Sequence, residues 1–317
     1  MKGYLISFFF AFLFSLLFCR TLIPLLKKWK AGQNILSYVK EHEAKSGTPT
    51  FGGIAFVLAT LVCSSVTLTT SDKTAIVTLA IGLAYMLVGL TDDFLKKKHE
   101  ENLGLTAWQK LIFQTAIAIF AGIYAYRMGF TELHIPFLKV KWEIGWWILP
   151  LAVFTFLATV NAVNLTDGLD GLAASACIPF FLALGVLIFL QKGEGSLSTI
   201  AFCLGGALSA YLLFNVSPAR VFMGDTGSLS LGGFAACIGL FTGNALYILT
   251  IGITFVFSVI SVLLQVIYYK ATGGKRIFLM APVHHHFQKK GHSETRISYA
   301  YFIITACVGL LSVVAAM

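Results

Sequence analysis

Long apolar runs alternate with short polar breaks along most of this chain. A helix needs about 20 apolar residues to cross the hydrocarbon of a bilayer. Runs near that length predict spans at about 4–26, 51–70, 74–91, 108–127, 145–162, 172–190, 197–214, 227–243, 246–269 and 297–316. The pattern therefore predicts an all-α integral membrane protein of about ten transmembrane helices, organised as one polytopic domain over residues 1–317. One stretch has a different period. FTELHIPFLKVKWEIG, residues 130–145, alternates polar and apolar positions and contains Pro136, which predicts a small interfacial β-hairpin.

Composition agrees with the pattern. The chain is 57% hydrophobic and 12% charged, with a mean hydropathy of +0.83. Soluble domains carry about 25% charged residues. The formal charge of +9 does not imply nucleic-acid binding, because the cations lie in short loops between spans. Lys2 and the apolar run after it have the look of a signal peptide. The run continues through TLIPLL past Arg20, however, and Phe18 is too bulky for a cleavage site, so an uncleaved span is expected. The six cysteines lie within apolar segments at no metal-binding spacing and read as small buried hydrophobes.

Ten spans place both termini on one side of the membrane. One set of loops holds Lys27, Lys28, Lys30, Lys40, Lys45, Lys96, Lys97, Lys98, Arg220, Lys270, Lys275, Arg276, Lys289, Lys290 and Arg296. The other set holds Lys2, Lys73, Arg127, Lys139, Lys141 and Lys192. The richer set is expected in the cytoplasm, with both termini outside.

The polar motifs fall on that cytoplasmic side. In TDDFLKKK, residues 91–98, Asp92 and Asp93 sit near a helix C-terminus, where carboxylates oppose the macrodipole unless a cation compensates. Adjacent helical side chains point about 100° apart, so the two need not share a ligand. The lysines suit phosphate or merely mark topology. In NAVNLTDGLDG, Asn161, Asn164, Asp167 and Asp170 recur every third residue, with Gly168 and Leu169 between the last two. That stripe lines up in a tight turn and drifts about 60° per step in an α-helix. An Asx-rich turn is the plain alternative.

In NVSPARVFMGDTGS, Asp225 precedes a span as either a helix cap or a metal ligand, and one carboxylate can do both. Phe222 stacks on a base or anchors the loop in lipid. In PVHHHF, His284, His285 and His286 suit phosphate or metal. EHEAKSGTPTFGG offers Lys45 and Thr48 to an anion, or simply turns the chain into the bilayer. Carboxylates for Mg²⁺, cations for phosphate and amides for a nucleoside favour phosphoryl transfer between a nucleotide and a lipid. A cation-coupled transporter would place its acidic groups near the bilayer midplane rather than at span ends.

DDFLK, NAVNLTDGLDG, NVSPARVFMGDTGS and APVHHHF closely resemble the polyprenyl-phosphate N-acetylhexosamine-1-phosphate transferases, in order, from about Lys45 to Arg296. SGTPTFGG together with PVHHHF is similar to the branch that serves peptidoglycan synthesis, against the alternative of a UDP-N-acetylglucosamine transferase. Phe51, Gln288 and His292 stand where that branch commonly has Met, Glu and Trp.

The resemblance implies attack of undecaprenyl phosphate on UDP-N-acetylmuramoyl-pentapeptide, giving lipid I and UMP. It also implies Mg²⁺, a homodimer and a bacterial inner-membrane location. Asp92, Asp93 and Asp225 are then the catalytic residues, with Asp225 on the metal and Asp93 as its helper. Asp92 contacts or deprotonates the lipid phosphate. Asn161, Asn164, Asp167, Gly168, Leu169 and Asp170 hold the nucleotide, with Lys45 and Phe222 near the uridine. Lys110 and the three histidines contact phosphates, and Thr48, Asn215 and Gln265 complete the substrate set.

Overall fold

The computed structural model describes residues 1–29, 47–68, 72–98, 104–193 and 195–317. The apolar runs become α1 (Lys2–Lys28), α2 (Gly53–Thr67), α3 (Lys73–Lys98), α4 (Ala107–Arg127), α5 (Ile148–Thr166), α6 (Leu172–Lys192), α7 (Ser196–Asn215), α8 (Gly224–Phe241), α9 (Ala245–Ile251), α10 (Ile253–Ala271), α11 (Val283–Lys289) and α12 (Glu294–Ala316). Local chemistry fixes several ends. Thr106 and Gln109 form a reciprocal capping box at the start of α4, and Ser293 accepts from the Arg296 N–H at the start of α12. Lys27 and Lys28 in α1, and Lys96 to Lys98 in α3, place cations in last turns, where the macrodipole favours them.

Among the described residues, seven helices are long and apolar enough to cross a membrane: α1, α3, α5 with its preceding turn, α6, α7, α10 and α12. The remaining expected spans fall on α2, α4 and α8, and on α9, which shares its span with α10. This is an all-α membrane protein. The expected single span at 246–269 is divided at Gly252, which closes α9 and opens α10. The Gly252 N–H donates to the Ile248 carbonyl at 2.9 Å, while its own carbonyl receives the Phe255 N–H at 2.9 Å. Glycine is a weak helix former, so the break costs little there.

The predicted hairpin is present as β1 (Glu132–His134) and β2 (Lys141–Glu143), antiparallel, with Leu133 opposite Trp142. Trp142, Trp146 and Trp147 are exposed beside it, as befits an aromatic belt at a membrane surface.

α8 forms the centre of the bundle and is buried continuously from Thr226 to Phe241. α3 and α5 pack along it; α7 packs on α1 and α6, and α12 on α6. A helix apolar on every side belongs in such an interior. At one end of the bundle, Gly195 N–H donates to the Tyr4 hydroxyl at 2.8 Å, His134 N–H to the Gly243 carbonyl at 2.8 Å, and Lys139 to the Met317 carbonyl at 3.0 Å. Both termini and the hairpin therefore share that end. At the opposite end Lys97 ties α3 to α1 by donating to the Trp29 carbonyl at 3.1 Å. The polar motifs gather there, around the start of α8.

Candidate active site

Asp92 and Asp93 are neighbours in the last turns of α3, and their directions diverge as helix geometry requires. Asp92 turns toward α4 and is wholly buried. Its Oδ1 accepts the Leu105 N–H at 2.7 Å. Its Oδ2 meets Lys96 Nζ at 2.7 Å and Lys110 Nζ at 2.9 Å. The same two ammonium groups reach across to Asp225 Oδ2, at 3.3 Å from Lys96 and 2.7 Å from Lys110. Asp225 Oδ1 accepts from the Asn164 amide at 2.9 Å, and that amide also donates to Ser228 at 2.9 Å.

Asp93 turns toward α8 instead. Its Oδ2 accepts from Thr226 N–H at 2.9 Å and Thr226 hydroxyl at 2.6 Å, and its Oδ1 from Asp225 N–H at 3.2 Å. It thus caps the N-terminus of α8 from a different helix, satisfying donors that would otherwise be orphaned. The two helices can approach because α3 carries Gly89 at the crossing, where a Cβ would collide with the Asp225 carbonyl.

Ligand oxygens of Asp92, Asp93 and Asp225 all lie within 4.8 Å of one another. Against three carboxylates stand two lysines, so the side chains leave an excess of negative charge. An all-oxygen donor set with that excess fits a small hard divalent cation. Burial pushes the Asp225 carboxyl upward, but its contact with Asp92 and the Lys96 and Lys110 cations outweigh burial and hold it below the usual range. Asp167, at the C-terminus of α5, is pushed up to about 8 by burial and then by the negative charges of Asp225, Asp93 and Asp170. A cation entering the cluster would relieve that repulsion.

The Asn/Asp stripe drifts as an α-helix dictates. Asn164 faces α8, whereas Asn161, one step earlier, is exposed and donates to Gln114 on α4 at 2.8 Å. Asn161 is thus not gathered with the carboxylates. Asp170, past the helix, is buried, and its Oδ2 accepts the Ala219 N–H at 2.9 Å. Asn215 likewise accepts from Gly171 N–H at 3.2 Å and donates to the Val221 carbonyl at 2.9 Å. Leu169, immediately before Asp170, is buried and packs in the core.

The histidine motif forms α11, which sits on the α5–α6 turn: a Cβ on Gly168 would run into the imidazoles of His284 and His285. His284 is wholly buried, with its ring 6.4 Å from that of Tyr301, and neither ring nitrogen has a hydrogen-bond partner among the described residues. Burial, with some help from His285, lowers its pKa to about 3. His285 joins a chain of contacts through Gln288 (3.1 Å) to Glu294 (3.1 Å), which accepts the Asp170 N–H at 2.8 Å. His286 Nδ1 accepts the Leu279 N–H at 3.1 Å. Gln265 pins the preceding loop, accepting from Ile277 and Phe278 N–H and donating to the Phe278 carbonyl. Phe222 is half-buried in a backbone bridge with Pro49 and Gly52 that brings the half-buried Thr48 alongside. Lys45 lies outside the described residues.

Sequence reasoning passed over Thr226, Ser228 and Glu294, and took Lys96 only as one of a run of lysines suited to phosphate or topology. Lys96 stands four residues after Asp92, a spacing that pairs charges on one helix face. Glu294 gave no such signal, since an acid in a first helical turn is ordinary.

Comparison with known proteins places the sequence that builds this site in a family. Residues 75–243 match the model of "Glycosyl transferase family 4", a stretch that contains Asp92, Asp93, the α5–α6 turn and Asp225. A phospho-N-acetylmuramoyl-pentapeptide-transferase of Clostridium perfringens (strain SM101 / Type A) is 45% identical over 285 residues, covering 90% of this chain and 88% of the relative. One from Listeria monocytogenes serotype 4b (strain CLIP80459) is 41% identical over 308 residues, covering 96% and 95%. One from Clostridium kluyveri (strain ATCC 8527) is 41% identical over 313 residues, covering 95% and 96%. With such identity over nearly its whole length, the chain belongs to glycosyl transferase family 4 and, within it, to the bacterial membrane family of phospho-N-acetylmuramoyl-pentapeptide-transferases.

Proposed function

We propose that the chain transfers phospho-N-acetylmuramoyl-pentapeptide from its UDP-linked nucleotide to undecaprenyl phosphate, giving lipid I and UMP in peptidoglycan synthesis. The observation that carries this reading is the pair of lysines, Lys96 and Lys110, shared between Asp92 and Asp225 at one end of the bundle. Ammonium groups held at short range by carboxylates are positioned to be handed over to phosphate oxygens. The relatives' names supply the substrate class.

A phosphomonoester has its second pKa near about 6, so the lipid phosphate is already a nucleophile near neutral pH. One of its oxygens attacks the β-phosphorus, the bond from that phosphorus to the bridging oxygen breaks, and UMP leaves with the electron pair. What remains for the protein is to screen two anions and hold them in line. Lys96 and Lys110 serve the phosphates. Asp92 contacts the lipid phosphate and takes its proton when it arrives as the monoanion. Asn164 and Asp167 hold the nucleotide beside Phe222, Thr48 and Lys45, and the imidazoles of α11 close over its phosphates. Asp170, Asn215 and Gln265 act by fixing the backbone around it. Mg²⁺, held by Asp225 with Asp93 as helper, would supply further neutralisation of the phosphate charge. The site faces the cytoplasm, and the working unit is a homodimer.

The test is UMP release by the purified protein with polyprenyl phosphate and Mg²⁺. UDP-N-acetylmuramoyl-pentapeptide should support turnover and UDP-N-acetylglucosamine should not. Turnover with the second nucleotide alone would replace this reading with the N-acetylglucosamine transferase.

A further inference from the structure

A second polar recess lies away from the carboxylates. It is a groove of about 460 Å³ between α1 and the end of α7, lined by Arg20, Lys27 and Arg220 over an apolar floor that includes Ile23, Pro24 and Phe214. The cluster described above is built by α3, α4, α5 and α8, and this groove uses none of those helices. Arg20, Ile23, Pro24 and Lys27 form one stripe along α1, at spacings of three, four and seven residues. Arg220 is brought onto that stripe because its N–H returns to the Phe214 carbonyl at 2.8 Å, which lays its guanidinium 5.5 Å from the centre of the Phe214 ring. All three cations are exposed, and none has an acidic partner among the described residues.

Arg20 decides what the groove takes. It lies two helical turns inward from Lys27, about 10 Å along an apolar membrane helix. An arginine at that depth is costly to leave without a counter-charge and turns its guanidinium toward the phosphate layer. Basic recesses between membrane helices on one face collect anionic lipid headgroups. A soluble phosphate would satisfy the cations but leave the apolar floor uncovered.

We propose that Arg20, Lys27 and Arg220 form a binding site for the phosphate of an anionic phospholipid, whose acyl chain covers the groove between α1 and α7. The lipid is a fixed neighbour of the bundle rather than a reactant.

Native mass spectrometry of the full chain, delipidated in detergent, tests this with dioleoyl phosphatidylglycerol against phosphatidylcholine of the same acyl chains. Phosphatidylglycerol should bind at least about tenfold more tightly. Arg20→Gln, Lys27→Gln and Arg220→Gln should each erode that preference by about fivefold. Arg20→Lys and Arg220→Lys should retain most of it, which separates charge from misfolding, and Lys139→Gln at the far end should change nothing. Equal binding of the two lipids, or a preference that survives all three glutamine variants, overturns the proposal. So does displacement by excess inorganic phosphate, which would make the ligand soluble, or one-for-one displacement by undecaprenyl phosphate, which would make it the substrate lipid. Variants that dissociate a dimer while binding lipid normally would assign the groove to a second copy of the chain.

Discussion

Asp93 and Asp225 have opposite local roles although each lies within reach of the other. Asp93 gives both oxygens to the first turn of α8, whereas Asp225 gives its oxygens to the side chains of Lys96, Lys110 and Asn164. Asp225→Asn should therefore lower UMP release by at least about a hundredfold, because charge neutralisation at phosphate supplies several kcal/mol. Its thermal unfolding in detergent should change little. Asp93→Asn should lower activity too, and should also destabilise the fold by about 1–2 kcal/mol, the usual cost of weakening a helix cap. Equal unfolding temperatures for the two variants would show that the cap contributes nothing. The carboxylate pair was legible in the sequence as unusual acids near a helix C-terminus. Which oxygen caps and which meets lysine was not, because Thr226 and Lys110 are brought in from other helices, α8 and α4. Asp170 and Asn215 have the residue types of ligands, yet their polar atoms hold backbone amides and carbonyls.

The elements around the histidines show where pattern reading runs short. PVHHHF reads as a polar loop, but it folds into α11 because the Val283 N–H finds the Ser261 hydroxyl at 2.9 Å and Gln265 fastens the strand of chain before it. The result is a buried His284, packed against Gly168 and facing His285 of its own helix and Tyr301 of α12. Its folded pKa of about 3 lies below the ordinary value of 6.5. The unfolded chain then binds the proton more readily, so His284 favours the fold fully above pH 6.5. That contribution is lost as pH falls from 6.5 toward 3, by up to about 1.4 kcal/mol for each unit. In thermal unfolding measured between pH 7 and 5, His284→Gln should show a shallower acid-side decline than the parent, whatever its stability at pH 7. Parallel declines would mean that His284 is protonated in the folded protein. The division of 246–269 at Gly252 has the same lesson at larger scale: apolarity is continuous through both α9 and α10, and hydropathy alone does not register the break.

At the scale of the whole molecule, the charge asymmetry of the loops and the packing of the helices are independent, and they agree. Lys97 joins the α1 and α3 ends beside the carboxylates, while Lys139 joins the hairpin to the last residue at the other end. The bundle is two-ended, with the basic loops at the end that carries the cluster. The positive-inside rule then predicts an orientation with Asp92 and α11 toward the cytoplasm and both termini outside, as the proposed reaction requires. Single cysteines at Lys98, Lys290 and Lys139, all exposed, test that orientation. They require a background free of the native cysteines, of which Cys307 is exposed and the other five are buried. A membrane-impermeant maleimide added to intact cells should label Lys139→Cys alone, and inverted membrane vesicles should expose Lys98→Cys and Lys290→Cys. Labelling of the last two from outside would turn the bundle over. The carboxylates would then face away from the cytosolic nucleotide, and the proposed reaction would fail with the topology.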